Sequence, residues 1–327
     1  MKLVTYLSKL SERSEPRLGL LLNNEVVDLE MASRGHAAPL PHDIIHFLQH
    51  GDSAMKAARM IQDKAVGDSE AFRVNHGRLS LSDVALLAPV PRPTSMRDGY
   101  AFRQHVEAAR RNRGVEMIEE FDLFPVFYFT NHQAVIGPGP MAVMPEHLNR
   151  LDYELEAAIV IGKEGRNIKA TEADEFIAGY TIMNDWSARA LQMEEMKLSL
   201  GPAKGKDFAT AIGPYLLTRD ELESHRIHSP RGDRYDLTMT ATLNGKELSR
   251  GNMKDMTWTF AEIIERASYG VTLYPGDVIG SGTVGTGCLL ELNGSKITHN
   301  LWVQVGDVVT CAIDELGELT NTVVAAS

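Results

Sequence analysis

A chain of 327 residues, 43% hydrophobic and 24% charged, has the composition of an ordinary globular protein and is long enough for one large domain and a smaller one. Its net charge of −11 opposes nonspecific binding to nucleic acid, which needs lysine and arginine against phosphate, and no window approaches the roughly 18 apolar residues of a membrane span. Cys288 and Cys311, the only cysteines, form no CxxC pair and indicate no disulfide framework, so a reducing, cytoplasmic setting is expected.

The opening MKLVTYLSKLSERSEPR carries Lys9, Glu12 and Arg13 where the apolar core of a secretory leader would run. Alternation around LGLLLNNEVVDL predicts two short strands turning at Asn23–Asn24, and Ile44, Ile45, Phe47, Leu48, Met55, Ala58 and Met60 recur at helical spacing over 41–65. The stretch LLAPVPRPTSM at 86–96 holds three prolines, which fix φ and remove donors, and a domain boundary is placed there: a small N-terminal α+β domain over 1–90 and a catalytic domain over 91–327. Beyond it, β-branched runs at 157–162, 178–183, 235–245 and 303–313 alternate with glycine, proline, asparagine and aspartate, and a helix is expected near 257–268. The fold class read from this order is α+β, mostly β.

Within LDYELEAAIVIGK, Glu154 and Glu156 stand two apart at the entry to a strongly apolar run, so on a strand both carboxylates aim to one side. A solvated edge strand accommodates that repulsion; so does a divalent cation, since hard cations take oxygen ligands. Asp185 ends another apolar run, in YTIMNDWSARALQ, where a rigid strand presents a carboxylate at its tip. Asp98, in RDGYAFRQH, is a fourth candidate whose ordinary role would be turn former or helix cap beside Gly99. The basic stretch RQHVEAARRNR at 103–113 supplies positive charge that an acidic substrate would need.

Five motifs in order, RDGYAFRQH, LDYELEAAIVIG, NDWSAR at 184–189, GKDF at 205–208, and SGT at 281–283 followed by Glu291, closely resemble the fumarylacetoacetate hydrolase family over roughly 95–313. The resemblance implies a mixed β-sandwich or β-roll catalytic domain, a homodimer, a role in aromatic catabolism, and Mg²⁺, with Mn²⁺ or Ca²⁺ as alternatives, held by Asp98, Glu154, Glu156 and Asp185. It implies that His105 pairs with Glu291 to activate water, that Lys206 and Gln192 stabilise a developing oxyanion, and that Tyr100, Tyr128 and Thr283 touch substrate. Arg113 is the nearest counterpart of the family's substrate arginine, and Ala190 stands where many members continue SARD.

On this reading a divalent ion polarises the carbonyl of a small 1,3-dicarbonyl acid, and an imidazole with ordinary pKa near 6.5 activates water while a carboxylate orients it. The first expectation is therefore hydrolysis of a carbon–carbon bond in an acylpyruvate or fumarylacetoacetate-like acid. A 2-oxo acid decarboxylase, keto–enol isomerase or hydratase using the same metal is the alternative, with Glu107 close after the histidine. His225 and His228 are read as solvated loop, and Trp186 and Trp258 as core or interface anchors.

Overall fold

The computed structural model describes residues 1–11, 14–34, 39–67 and 77–326; Glu12 and Arg13, read above as interrupting an apolar leader, lie outside them. The expected first hairpin is present: Arg17–Leu22 and Glu25–Asp28 pair with Leu22 opposite Glu25, and Asn23 takes the φ of 53° that the two-residue turn requires. The helical pattern over 41–65 is realised as two helices, Ile44–Gln49 and Gly51–Gly67, divided where Gly51 adopts φ 58°. Asp43 caps the first by accepting from the His46 amide at 3.0 Å. The helix expected near 257–268 runs Phe260–Ser268 behind a Thr259/Glu262 capping box.

The main sheet has twelve strands. Its path runs Arg78–Ser80, Glu25–Asp28, Arg17–Leu22, Lys2–Ser8, Thr210–Thr218, Ile177–Asp185, Leu155–Ile161, Val278–Gly280, Met96–Gly99 and Phe127–Phe129. The N-terminal strands are thus continuous with the rest: Lys2–Ser8 pairs with Thr210–Thr218, Leu3 facing Leu216. Residues on either side of the proline-rich stretch at 86–96 share one sheet and one core, because the first strand supplies an edge that Thr210–Thr218 would otherwise leave unpaired.

Three layers result. On one face, Leu155, Ala157, Ile159 and Ile161 pack with Met239, Ala241, Val309, Cys311 and Leu319 of a five-stranded sheet. On the other, Ala158, Val160, Met183 and Val278 pack with Phe47, Leu48, Ala58 and Ile61 of the N-terminal helices. Leu155–Ile161 is buried at every position because it is covered on both faces, which is why its sequence reads as an unbroken apolar run. Trp186 and Trp258 both belong to the first core, as anchors inside the chain.

Candidate metal centre and acid–base pair

The second face of the sheet carries more than core. Side chains alternate along a strand, so the face that takes Met96, Met183 and Ala158 also takes Asp98, Asp185 and Glu156, each two positions away on the same strand. Gly280 pairs with Ala158 on one side and Asp98 on the other, between the strands that carry Glu156 and Asp98. A Cβ there would stand 2.4 Å from Asp98 Oδ1, so the missing side chain is what leaves space between the two acids. Glu154 joins from the turn before the strand, its amide donating to Asn184 Oδ1 at 2.9 Å.

These four acids, all buried, each bring an oxygen within 4.8 Å of one from every other. Burial, and then the Asp185 charge, push the Asp98 carboxyl up to about 7; burial, with the Asp98 charge after it, drives Glu156 well above the carboxylate range. Burial raises Asp185 too. Burial opposes ionisation of Glu154 as well, but Lys206 and Arg189 outweigh it and hold the group down at about 2.

Lys206 bridges the cup, donating from Nζ to Glu154 Oε2 and, at 2.7 Å, to Asp185 Oδ2. Tyr128 donates to Asp185 Oδ2 at 2.5 Å, Thr283 to Glu156 Oε1 at 3.4 Å, and the Gly282 amide to Asp98 Oδ1 at 3.1 Å. Glu156 Oε2 is buried without a hydrogen-bond partner. A purely oxygen donor set with an orphaned carboxylate oxygen fits a hard divalent cation.

The second constellation is a pair. His105 Nδ1 lies 2.7 Å from Glu291 Oε2, and the other Glu291 oxygen accepts from the Thr286 amide at 2.9 Å. His105 sits on helix Arg103–Asn112, which turns His105, Val106 and Ala108 inward and leaves its arginines toward solvent. Tyr100 meets the imidazole edge-on at 5.9 Å. The helix that carries Glu291 has its first amides held by Asp152, which Arg189 bridges to Glu154, and this joins the pair to the cup.

Two buried residues that the sequence reading passed over tie these parts together. Arg189, of NDWSAR, donates to Asp152 Oδ2 and Glu154 Oε1, both at 2.8 Å, and to Gln192 Oε1 at 3.0 Å. Asp152 in turn accepts from the Leu289 and Leu290 amides at 2.7 and 2.9 Å, at the start of the helix that carries Glu291. Asp152 shares the two-residue spacing of Glu154 and Glu156, and that was the available signal.

Arg113 is placed differently from the other candidates. It lies exposed at the end of its helix, with Nε donating to Ala109 O at 3.1 Å, although its charge is felt by the Tyr100 phenol. His228, 75% exposed in its side chain, pairs with Asp233 at 2.9 Å. Cys288 and Cys311 are free and buried.

A β-sandwich in which four buried carboxylates converge beside a histidine–glutamate pair defines an oxygen-donor centre of the kind that suits a hard divalent ion. The chain belongs to the fumarylacetoacetate hydrolase family: the model of the fumarylacetoacetate hydrolase C-terminal domain matches residues 94–324. It is 31% identical over 328 residues to oxaloacetate tautomerase fahd2, mitochondrial, of Xenopus laevis, covering 99% of this chain and 90% of that one. Oxaloacetate tautomerase YisK of Bacillus subtilis is 29% identical, with 94% and 95% covered. The fold matches that of maleylpyruvate hydrolase from Sphingobium sp. SYK-6, solved with manganese(II) and pyruvate, with a TM-score of 0.70, 21% identity and all of both chains covered. Among the described residues no helix is long and apolar enough to cross a membrane.

Proposed function

We propose that this protein interconverts the enol and keto forms of a small 2-oxo dicarboxylic acid of the oxaloacetate type, using a divalent cation, Mg²⁺ or Mn²⁺, held by Asp98, Glu154, Glu156 and Asp185. The observation that carries the reading is the buried His105–Glu291 pair beside the carboxylate cup. Held by these four carboxylates, a divalent cation would supply Lewis-acid stabilisation of the negative charge that develops on the oxygens of a 2-oxo acid.

The chain's residues supply the proton traffic. Glu291 fixes the ring through Nδ1 and leaves Nε2 to take the enol hydroxyl proton or to return a proton to the adjacent carbon. Tyr128 and Thr283 hold Asp185 and Glu156 in place, while Lys206 and Gln192 provide a cation and an amide at the rim of the cup for the substrate's oxygens. Substrate contact by Tyr100 is supported by its position against the imidazole.

Hydrolysis of an acylpyruvate, the first expectation from the sequence, is the second reading. It is favoured by the same pair, since a histidine clamped by glutamate suits activation of water. Enol–keto exchange stands first because it needs no attack by water and matches what the similar relatives are named for.

Two assays separate them: loss of enol absorbance from oxaloacetate with Mg²⁺ or Mn²⁺, and product analysis with acylpyruvates. Acceleration of enol decay without new fragments supports tautomerisation. Two organic fragments with uptake of water, and no effect on oxaloacetate, would put hydrolysis first. A homodimer is part of this reading, supported by the exposure of Leu123 (70%), Val126 (48%) and Phe129 (63%), and a strictly monomeric mass in solution would remove it.

A further inference from the structure

Beside the cup lies a second cluster of different chemical character. His105, Cys288 and Glu291 each bring one ligand-type atom, a ring nitrogen, a sulfur and a carboxylate oxygen, within 4.8 Å of the other two. All three residues are buried. Cys288 is the N-cap of helix Leu289–Gly294 and Glu291 lies in its first turn, so one short stretch of backbone sets their separation, while His105 arrives from the opposite helix.

The thiol has no part in the proton transfers above. Burial, with the Asp152 charge after it, holds it well above its ordinary pKa, so it is a neutral thiol rather than a nucleophile. Its sulfur nonetheless stands within 4.8 Å of a His105 ring nitrogen and a Glu291 carboxylate oxygen, against the acid–base pair itself. Cys311, the other cysteine, is buried between strands of the five-stranded sheet.

We propose that His105, Cys288 and Glu291 form a second metal site, selective for Zn²⁺ over Mg²⁺, and that zinc bound there switches the enzyme off by occupying the acid–base pair. The two sites differ in their donors. The cup offers oxygen alone and suits a hard ion, whereas nitrogen, sulfur and oxygen from three side chains match the preferences of Zn²⁺.

Binding releases the thiol proton to water, and the ring lends one nitrogen while keeping its proton on the other. Thiolate and carboxylate then balance the two positive charges of the ion, where Mg²⁺ would gain little from sulfur. The inhibitory consequence rests on the reading of His105 as the proton-transfer residue; the metal site itself does not.

The test uses full-length protein saturated with Mg²⁺ and titrated with Co²⁺ as a spectroscopic substitute for zinc. The expected result is a thiolate-to-cobalt charge-transfer band in the near ultraviolet that is absent in Cys288→Ser and Cys288→Ala, intact in Cys311→Ser, and lost from the wild type when Zn²⁺ is added. Thermal midpoints of the variants show that each is folded.

Alongside this, Zn²⁺ inhibition in excess Mg²⁺, scaled to each variant's own zinc-free rate, is expected to need ~10–100-fold more zinc in Cys288→Ser. No band, or a band that survives both Cys288 substitutions, overturns the site. Equal zinc sensitivity in wild type and Cys288→Ser overturns the switch, because zinc would then be acting in the cup. A Cys288-dependent band in a protein inactive on every oxo acid offered upholds the site while removing the proposed function.

Discussion

The carboxylate cup and the His105–Glu291 pair are neighbours that balance charge in opposite ways. In the cup, four acids face one amine from Lys206 and one guanidinium from Arg189, and Glu156 keeps a buried oxygen with no partner. In the pair, both Glu291 oxygens are satisfied, one by imidazole and one by the Thr286 amide. The cup therefore needs an outside charge to be complete, while the pair needs only its own helix and its neighbour. A protein can concentrate negative charge in its interior where an ion will neutralise it, and can hold a proton-transfer group steady beside it without that ion.

Removing a cup ligand should break the contrast most completely. Glu154→Ala is expected to abolish turnover, with partial return at high Mg²⁺, because the same carboxylate also anchors Lys206 and Arg189. Metal affinity by calorimetry should fall with it; an active variant with unchanged affinity would show that the ion sits elsewhere.

Changes in the pair come next. His105→Ala and Glu291→Gln should each lower kcat by roughly 10²–10⁴-fold while leaving metal affinity nearly unchanged. The double variant should match the worse single one, since a glutamate with no ring to orient has nothing left to do. Wild-type kcat in His105→Ala would end the proton-transfer role.

Metal-dependent stability sharpens the comparison further. A hundredfold excess of cation over its Kd contributes about 2.7 kcal/mol, or ~4 °C in Tm for a chain of this size. The gain should depend on pH through Asp98, whose carboxyl is raised from 3.8 to about 7 by burial and then by the Asp185 charge. An acid raised in the folded state weakens the fold as pH climbs from about 4 to about 7, with the loss complete above that window and absent below it. A cation replaces the missing proton, so its Tm gain should be larger at about pH 8 than at about pH 5.5. Glu156→Gln should erase most of that gain, because it removes a carboxylate from the cup, while changing the metal-free Tm little, because burial already disfavours the charged form of Glu156. An equal gain at both pH values would contradict this balance.

The smallest effect is expected at Arg113. Among the described residues its exposed guanidinium donates to the backbone of its own helix, so Arg113→Ala should change KM by less than about threefold, the scale of a surface substitution. A tenfold or greater rise in KM at constant kcat would bring the substrate's carboxylate to that helix end.

Much of the site was legible because strand geometry repeats every two residues. The Glu154–Glu156 spacing pointed to one face, and the strand tips at Asp98 and Asp185 converge there as their motifs implied. Arg189 was not legible, since a buried ion pair with a residue 37 positions away leaves no local pattern, whereas Asp152 carried the two-residue spacing of Glu154 and Glu156 and was passed over. The continuity of the sheet across the proline-rich stretch was hidden for a related reason. Prolines mark where regular hydrogen bonding stops, but nothing in LVTYLS says that its partner is Thr210–Thr218. Gly51 divides the helical segment, which periodicity alone reads as continuous.

The pairing of the first strand with Thr210–Thr218 also bears on how the molecule is made. During synthesis Leu3 emerges well before Leu216, opposite which it must settle and which follows 213 residues later in the sequence. The hairpin Arg17–Asp28 can form early from neighbouring residues, but the edge of the first strand has to wait, its amides and carbonyls open to any other strand nearby. The step that completes the sheet is therefore a late closure between distant parts of the sequence, and the nascent chain is most exposed to mispairing in that interval.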